Sequence, residues 1–157
     1  MMEDRFFCVN EVDAESFSIT RQGSPAQVEI SRLFDPEASG SIQAVVIIAV
    51  LPPNQPESMP PHFHREYEET MYVVSGRGTL QVGTSPDDMR SIPVRPGSCC
   101  YVPAEYYHRV EVEGDEALKL VCSYFCTSGE GGKSHRQISV ELTSLPLEGT
   151  YGEAKEG

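Results

Sequence analysis

Through the middle of this chain, hydrophobic and polar residues alternate with the two-residue period of β-strands, and no stretch sustains the 3.6-residue period of a helix. Residues 27–32 place Val28 and Ile30 on one side of an otherwise polar segment, which predicts a strand with one apolar face. Residues 42–51 are apolar apart from Gln43 and rich in β-branched side chains, bounded by Gly40 and by Pro52 and Pro53, and predict a strand buried on both faces or inside a barrel wall. Further strands are predicted over 70–74, 79–82, 89–94, 99–102, 108–112 and 117–125. Glycine, proline, serine and aspartate mark turns at 75–78, 83–88, 95–97 and 114–115. The prolines between positions 52 and 61 exclude helix and central strand, so that segment is a loop delivering the chain to His62. Roughly eight to ten short strands with frequent turns point to an antiparallel sandwich or barrel.

The two ends read differently from the middle. Residues 1–40 mix short apolar patches with turn formers and predict an arm of one or two strands and loops that belongs to the same domain. Residues 41–126 hold the main run of strands, and residues 127–157 form a polar, glycine-containing extension. That extension carries a short patch at 137–142 and then a polar tail, read as an adjunct strand or helix followed by a frayed end.

Composition narrows the function classes. A chain of 157 residues is the size of one domain. Its 24 acidic against 12 basic residues give a formal charge of −12, which repels phosphate backbones and anionic lipid. Nucleic-acid and membrane-surface roles are therefore not expected, and a small molecule is. No apolar run approaches the ~20 residues of a membrane span, and the first residues are acidic where a secretory signal is basic. A cytoplasmic protein is the simplest expectation. The five cysteines, Cys8, Cys99, Cys100, Cys122 and Cys126, form an odd set read as reduced thiols that pack as small hydrophobes.

The candidate chemistry lies in residues 60–76, PPHFHREYEETMYVVSG. His62 and His64 are two apart and share a face in extended chain. Glu69 shares parity with Met71 and Val73, which puts a carboxylate on an apolar face, where an unpaired charge costs several kcal/mol; Glu68 has the opposite parity and reads as solvated. His108 opens a later strand in phase with Val110 and Val112. Three imidazoles and a carboxylate suit one divalent transition metal, whether Fe, Mn, Ni, Cu, Co or Zn, with coordination positions left for substrate, water or dioxygen. His135, in a glycine-rich polar stretch, reads as an ordinary exposed histidine. Tyr101, Tyr106 and Tyr107, close in sequence to His108, are candidates to supply a proton or a hydrogen bond, with plain packing as the alternative.

The spacing HxHx4Ex6G, carried by His62, His64, Glu69 and Gly76, resembles the first motif of the cupin superfamily. The spacing Gx5Px4H, carried by Gly97, Pro103 and His108, resembles the second, and the resemblance covers roughly residues 41–125. It implies a small single-domain cupin: an all-β, antiparallel double-stranded β-helix, or jelly-roll barrel, with His62, His64, Glu69 and His108 pointing inward around one metal ion. Three positions depart from the usual motifs: Pro56 stands where the first commonly opens with glycine, Pro103-Ala104-Glu105 where the second commonly reads PxG, and Val112 where it commonly ends in asparagine. Such proteins include dioxygenases, isomerases, polyketide cyclases, decarboxylases, lyases and proteins that only bind. Apolar inward positions (Met71, Val73, Val110, Val112) and the lack of an arginine or lysine cluster favour a dioxygenase or polyketide-cyclase-like enzyme. Its expected substrate is a small, rather apolar carbonyl or hydroxy compound whose oxygens coordinate the metal. The alternatives are a metal-containing binding or sensing protein without turnover, and a metal-assisted isomerase. The resemblance also implies a homodimer, with the arm 27–34 pairing along a neighbour's sheet edge.

Overall fold

The computed structural model describes residues 8–20, 27–34, 44–54 and 60–127. Among the described residues, after a short 3-10 turn at Glu11–Asp13, come nine strands: β1 (Glu15–Thr20), β2 (Gln27–Phe34), β3 (Ala44–Leu51), β4 (Tyr67–Ser75), β5 (Arg77–Ser85), β6 (Asp88–Val94), β7 (Cys99–Val102), β8 (Tyr107–Glu113) and β9 (Leu118–Cys126). They form a six-stranded sheet of order β1-β2-β3-β9-β4-β7 and a three-stranded sheet of order β6-β5-β8. Every pairing is antiparallel. The architecture is the all-β one the alternation predicts.

The two sheets face each other across one apolar core. Val45, Ile47, Leu51, Met71, Val73, Leu118 and Leu120 come from the larger sheet, and Leu80, Val94 and Val110 from the smaller. Each fully buried leucine or isoleucine there contributes about 1.5–3 kcal/mol relative to exposure. β3 carries the most continuous apolar run because it is interior to the larger sheet, hydrogen-bonded to β2 and β9, and its outward-facing Ile48 is buried as well. In β4 the parity expected for its middle is observed: Glu69, Met71 and Val73 are buried, while Tyr72 and Val74 are exposed.

Three local expectations change. The turn over 75–78 shrinks to Gly76, because β4 runs to Ser75 and β5 starts at Arg77. The turn over 83–88 shrinks to Pro86 and Asp87, with Ser85 paired to Asp88 across it, since cross-strand bonding carries extended backbone through residues of low strand propensity. The third concerns the arm. β2 is paired to β1 on one side and β3 on the other, so its own chain fills both of its edges, and the terminal strands of the larger sheet are β1 and β7. Among the described residues no helix is long and apolar enough to cross a membrane. The expectations for Pro56, for His135, for the patch at 137–142 and for the rest of the C-terminal extension lie outside the described residues.

Candidate functional site

Two distant pieces of chain build the site through a small backbone clasp. Following Pro60 and Pro61, the His62 N–H donates to the His108 carbonyl (3.1 Å), and the His108 N–H donates to the His62 carbonyl (2.8 Å). This isolated antiparallel bridge sets the two imidazoles side by side, ring centroids 4.3 Å apart, because directly opposed residues of an antiparallel pair share a face. His64 follows two residues later on the same side, 5.3 Å from the His108 ring. Glu69 enters from the other sheet: on β4 it lies between Val102 of β7 and Tyr124 of β9. The site thus spans both sheets at one end of the core.

His62, His64, Glu69 and His108 are between 2 and 7 % exposed and are the only buried polar or charged side chains among the described residues. Glu69 Oε2 lies 3.0 Å from His108 Nε2 and 3.3 Å from His64 Nε2. The donor atoms of the three histidines all fall within 4.8 Å of one another. Two donors bound to one ion at about 2.1 Å stand about 3 Å apart when adjacent and about 4.2 Å apart when opposite. The carboxylate-to-imidazole distances match adjacent ligands.

The outer ring nitrogens are already committed. His62 Nδ1 is 2.8 Å from the Pro60 carbonyl and His108 Nδ1 is 3.0 Å from the Tyr106 carbonyl. A carbonyl oxygen only accepts, so each Nδ1 carries the proton, and in the neutral ring Nε2 holds the lone pair. The same device orients imidazoles that ligate metals. Glu69 Oε2 and His108 Nε2 are buried, close together and yet not hydrogen-bonded, an arrangement that is costly for polar atoms by themselves and apt for two groups facing a common cation. Burial pushes the Glu69 carboxyl up, but the positive charge that His108 and His64 carry when protonated outweighs it and holds the carboxyl well below the usual range; a metal ion would take the place of those ring protons. An ionised carboxylate and lone-pair-bearing imidazoles fit a divalent transition metal.

The remaining sequence candidates fall elsewhere. Tyr101 faces outward at 58 % exposed, pairs in register with Thr70, and donates its hydroxyl hydrogen to Glu68 (2.9 Å), the residue read as solvated. Tyr106 is exposed and contributes its carbonyl to His108. Tyr107 packs its ring on Phe63, centroids 4.9 Å apart, and has the opposite parity to His108 in β8. The aromatic that does touch the cluster is Tyr124, edge-on to His64 at 5.1 Å. Its inward phase with Leu118, Leu120 and Cys122 is legible in the alternation of β9, but its proximity to β4 is not.

The turn before His108 departs from the expected motif in residue type but keeps a glycine-like backbone. Glu105 has φ of +65°, and its N–H donates to the His64 carbonyl (2.8 Å), tying the turn to the segment that carries His62 and His64. A non-glycine residue in this left-handed region costs about 1–2 kcal/mol. Glu105→Gly removes that strain and returns about 0.5–1 kcal/mol as extra entropy of the unfolded chain. A net gain of up to about 1 kcal/mol in urea unfolding is expected, and a variant less stable than wild type would show that the glutamate side chain stabilises the turn.

Residues 47–124 match the Cupin_2 family model, described as a cupin domain. Glucose-6-phosphate isomerase of Pyrococcus horikoshii is 33% identical over 70 residues, covering 43% of this chain and 37% of that protein. Acireductone dioxygenase 1 of Coprinopsis cinerea is 38% identical over 61 residues, covering 38% of this chain and 34% of that protein. The match therefore spans little more than a third of the length of either relative. Among solved structures, the polyketide cyclase RemF of Streptomyces resistomycificus superposes with a TM-score of 0.60 at 24% identity, covering 80% of each chain.

Proposed function

Starting from the premise that this chain belongs to the cupin superfamily, through a domain at residues 47–124, we propose that His62, His64, Glu69 and His108 hold one divalent transition metal ion in a metal-dependent enzyme. The observation that carries the reading is the convergence at one place of the only buried polar or charged side chains among the described residues. A bound ion would supply Lewis-acid polarisation of a substrate carbonyl or hydroxyl oxygen and, if redox-active, electrons for dioxygen. The chain's own residues orient the imidazoles through the Pro60 and Tyr106 carbonyls and exclude water by burial.

The substrate class follows from the walls. On the inner face, Val102 and Tyr124 flank Glu69, and Val82 flanks His108. No lysine or arginine among the described residues is buried; Arg109, next to His108, instead bonds Gln81 and Glu111. These apolar neighbours suit a small, rather apolar carbonyl or hydroxy compound, and no buried cation among the described residues is placed to hold a phosphate. We therefore favour dioxygenase or polyketide-cyclase-like chemistry, in keeping with the likeness to an acireductone dioxygenase. The likeness to a glucose-6-phosphate isomerase favours the second reading, metal-assisted isomerisation.

Anaerobic reconstitution with Fe(II), followed by a panel of diketones, catechols and flavonols at a dioxygen electrode, separates these readings. Dioxygen uptake with one member is expected. A metal-loaded protein that consumes none with any substrate rules against the oxygenase. Exchange of a substrate C–H with solvent deuterium then identifies an isomerase or cyclase, and saturable binding without exchange identifies a binding protein.

A further inference from the structure

β9 presents to the site two core side chains, a thiol and a phenol, that the four proposed ligands do not account for. Its inward positions read Leu118, Leu120, Cys122 and Tyr124, and all four are buried in the core cluster. The leucines need no further explanation. Cys122 is 3 % and Tyr124 6 % exposed, and the β4–β9 register sets Tyr124 opposite Glu69 and Cys122 opposite Met71, one inward step along. From there Tyr124 meets the His64 ring edge-on, and Cys122, on the same inward face of β9, is buried one step along the strand from the position opposite Glu69.

We infer that Cys122 and Tyr124 are positioning residues for the metal centre, the Cys122 S–H holding the Glu69 carboxylate and the Tyr124 ring fixing the plane of His64. The inference rests on the metal reading above and extends it to the strand behind the ligands. An ionised carboxylate offers about four acceptor sites; Glu69 turns Oε2 toward His64 and His108 without a hydrogen bond. A donor elsewhere on the group stops it rotating away. A thiol, with an unperturbed pKa of about 8.5, is an S–H donor at neutral pH; it is a weak donor in water but a valuable one where no water competes for the carboxylate. Partners of this kind are worth about 10–100-fold in metal affinity.

Co(II) is the probe, with affinity taken from competition against a chelator, coordination from the visible absorption of the bound ion, and folding from thermal melts without metal. Cys122→Ala is expected to weaken Co(II) binding about 10-fold or more and to change the absorption spectrum, while Cys122→Ser, which keeps a donor of similar size, stays within about threefold of wild type. Tyr124→Phe keeps the ring and the spectrum; Tyr124→Leu alters both spectrum and affinity. If Cys122→Ala destabilises the fold, Cys122→Val against Cys122→Ser makes the same comparison at matched bulk. Equal Co(II) affinity with and without a donor at position 122 overturns the positioning role and leaves the metal reading standing. A wild-type chain that binds no Co(II) overturns both.

Discussion

The double variant His62→Ala/His64→Ala is expected to fold yet hold no stoichiometric divalent metal, where the wild-type chain holds one ion. Neither histidine belongs to the apolar core cluster; both lie in the segment that clasps β8, so losing their rings leaves the packing between the sheets in place. What is lost is two of three imidazole donors gathered within 4.8 Å, and the remaining Glu69 and His108 cannot enclose an ion by themselves. The effect is readable as stability. An ion at a hundredfold excess over its Kd adds about 2.7 kcal/mol, or roughly 5–10 °C in Tm for a chain of this size. Wild type should show that metal-dependent rise and the double variant should show none. Since imidazoles must lose their protons to bind, the rise should shrink as the solution is made acidic. A double variant that kept one tight ion per chain would remove these residues from the ligand set.

Gly76→Ala should be among the most destabilising single-methyl substitutions in the chain, at about 3–5 kcal/mol. Gly76 has φ of +81°, and a Cβ added there would sit 2.4 Å from the Ala117 carbonyl oxygen and 2.8 Å from the Leu118 Cα. The left-handed backbone alone costs about 1–2 kcal/mol. The remainder arises because the obstructing atoms are backbone, so the substitution must push the start of β9 away from the β4–β5 junction. That displacement bears on the site, because β9 carries Tyr124 and Cys122 against β4. Gly97 is the internal control: its φ is +89°, but a Cβ there meets nothing within 4 Å. Gly97→Ala should therefore cost only the conformational part, about 1–2 kcal/mol. Urea unfolding of the pair isolates the steric contribution. Equal losses would show that the close approach at Gly76 is relieved at no cost.

The motif glycine at position 76 illustrates how far sequence reasoning reaches. Its spacing from Glu69 marks it as a turn residue, yet the turn was expected over four residues and is one residue long. The reason no other residue fits is the Ala117 carbonyl, 41 positions away in the chain. Glu105 runs the other way: the missing motif glycine suggests an altered turn, and the backbone holds a left-handed geometry regardless. That conformation is anchored by a long-range bond to the His64 carbonyl that local propensity does not contain.

By itself the sequence determined the all-β class, the face on which each strand residue lies, and the four polar side chains that end up buried together. These follow from period-two alternation and from the cost of burying an unpartnered carboxylate or imidazole, which are properties of a residue and its near neighbours. Only the tertiary structure decided that β9 runs between β3 and β4, that β2 is interior to its sheet, and that Tyr124, in place of Tyr101, lies against His64. Strand order is chosen by which distant edges bury the most apolar surface together, and alternation, which assigns a face, carries no information about the neighbour on either edge.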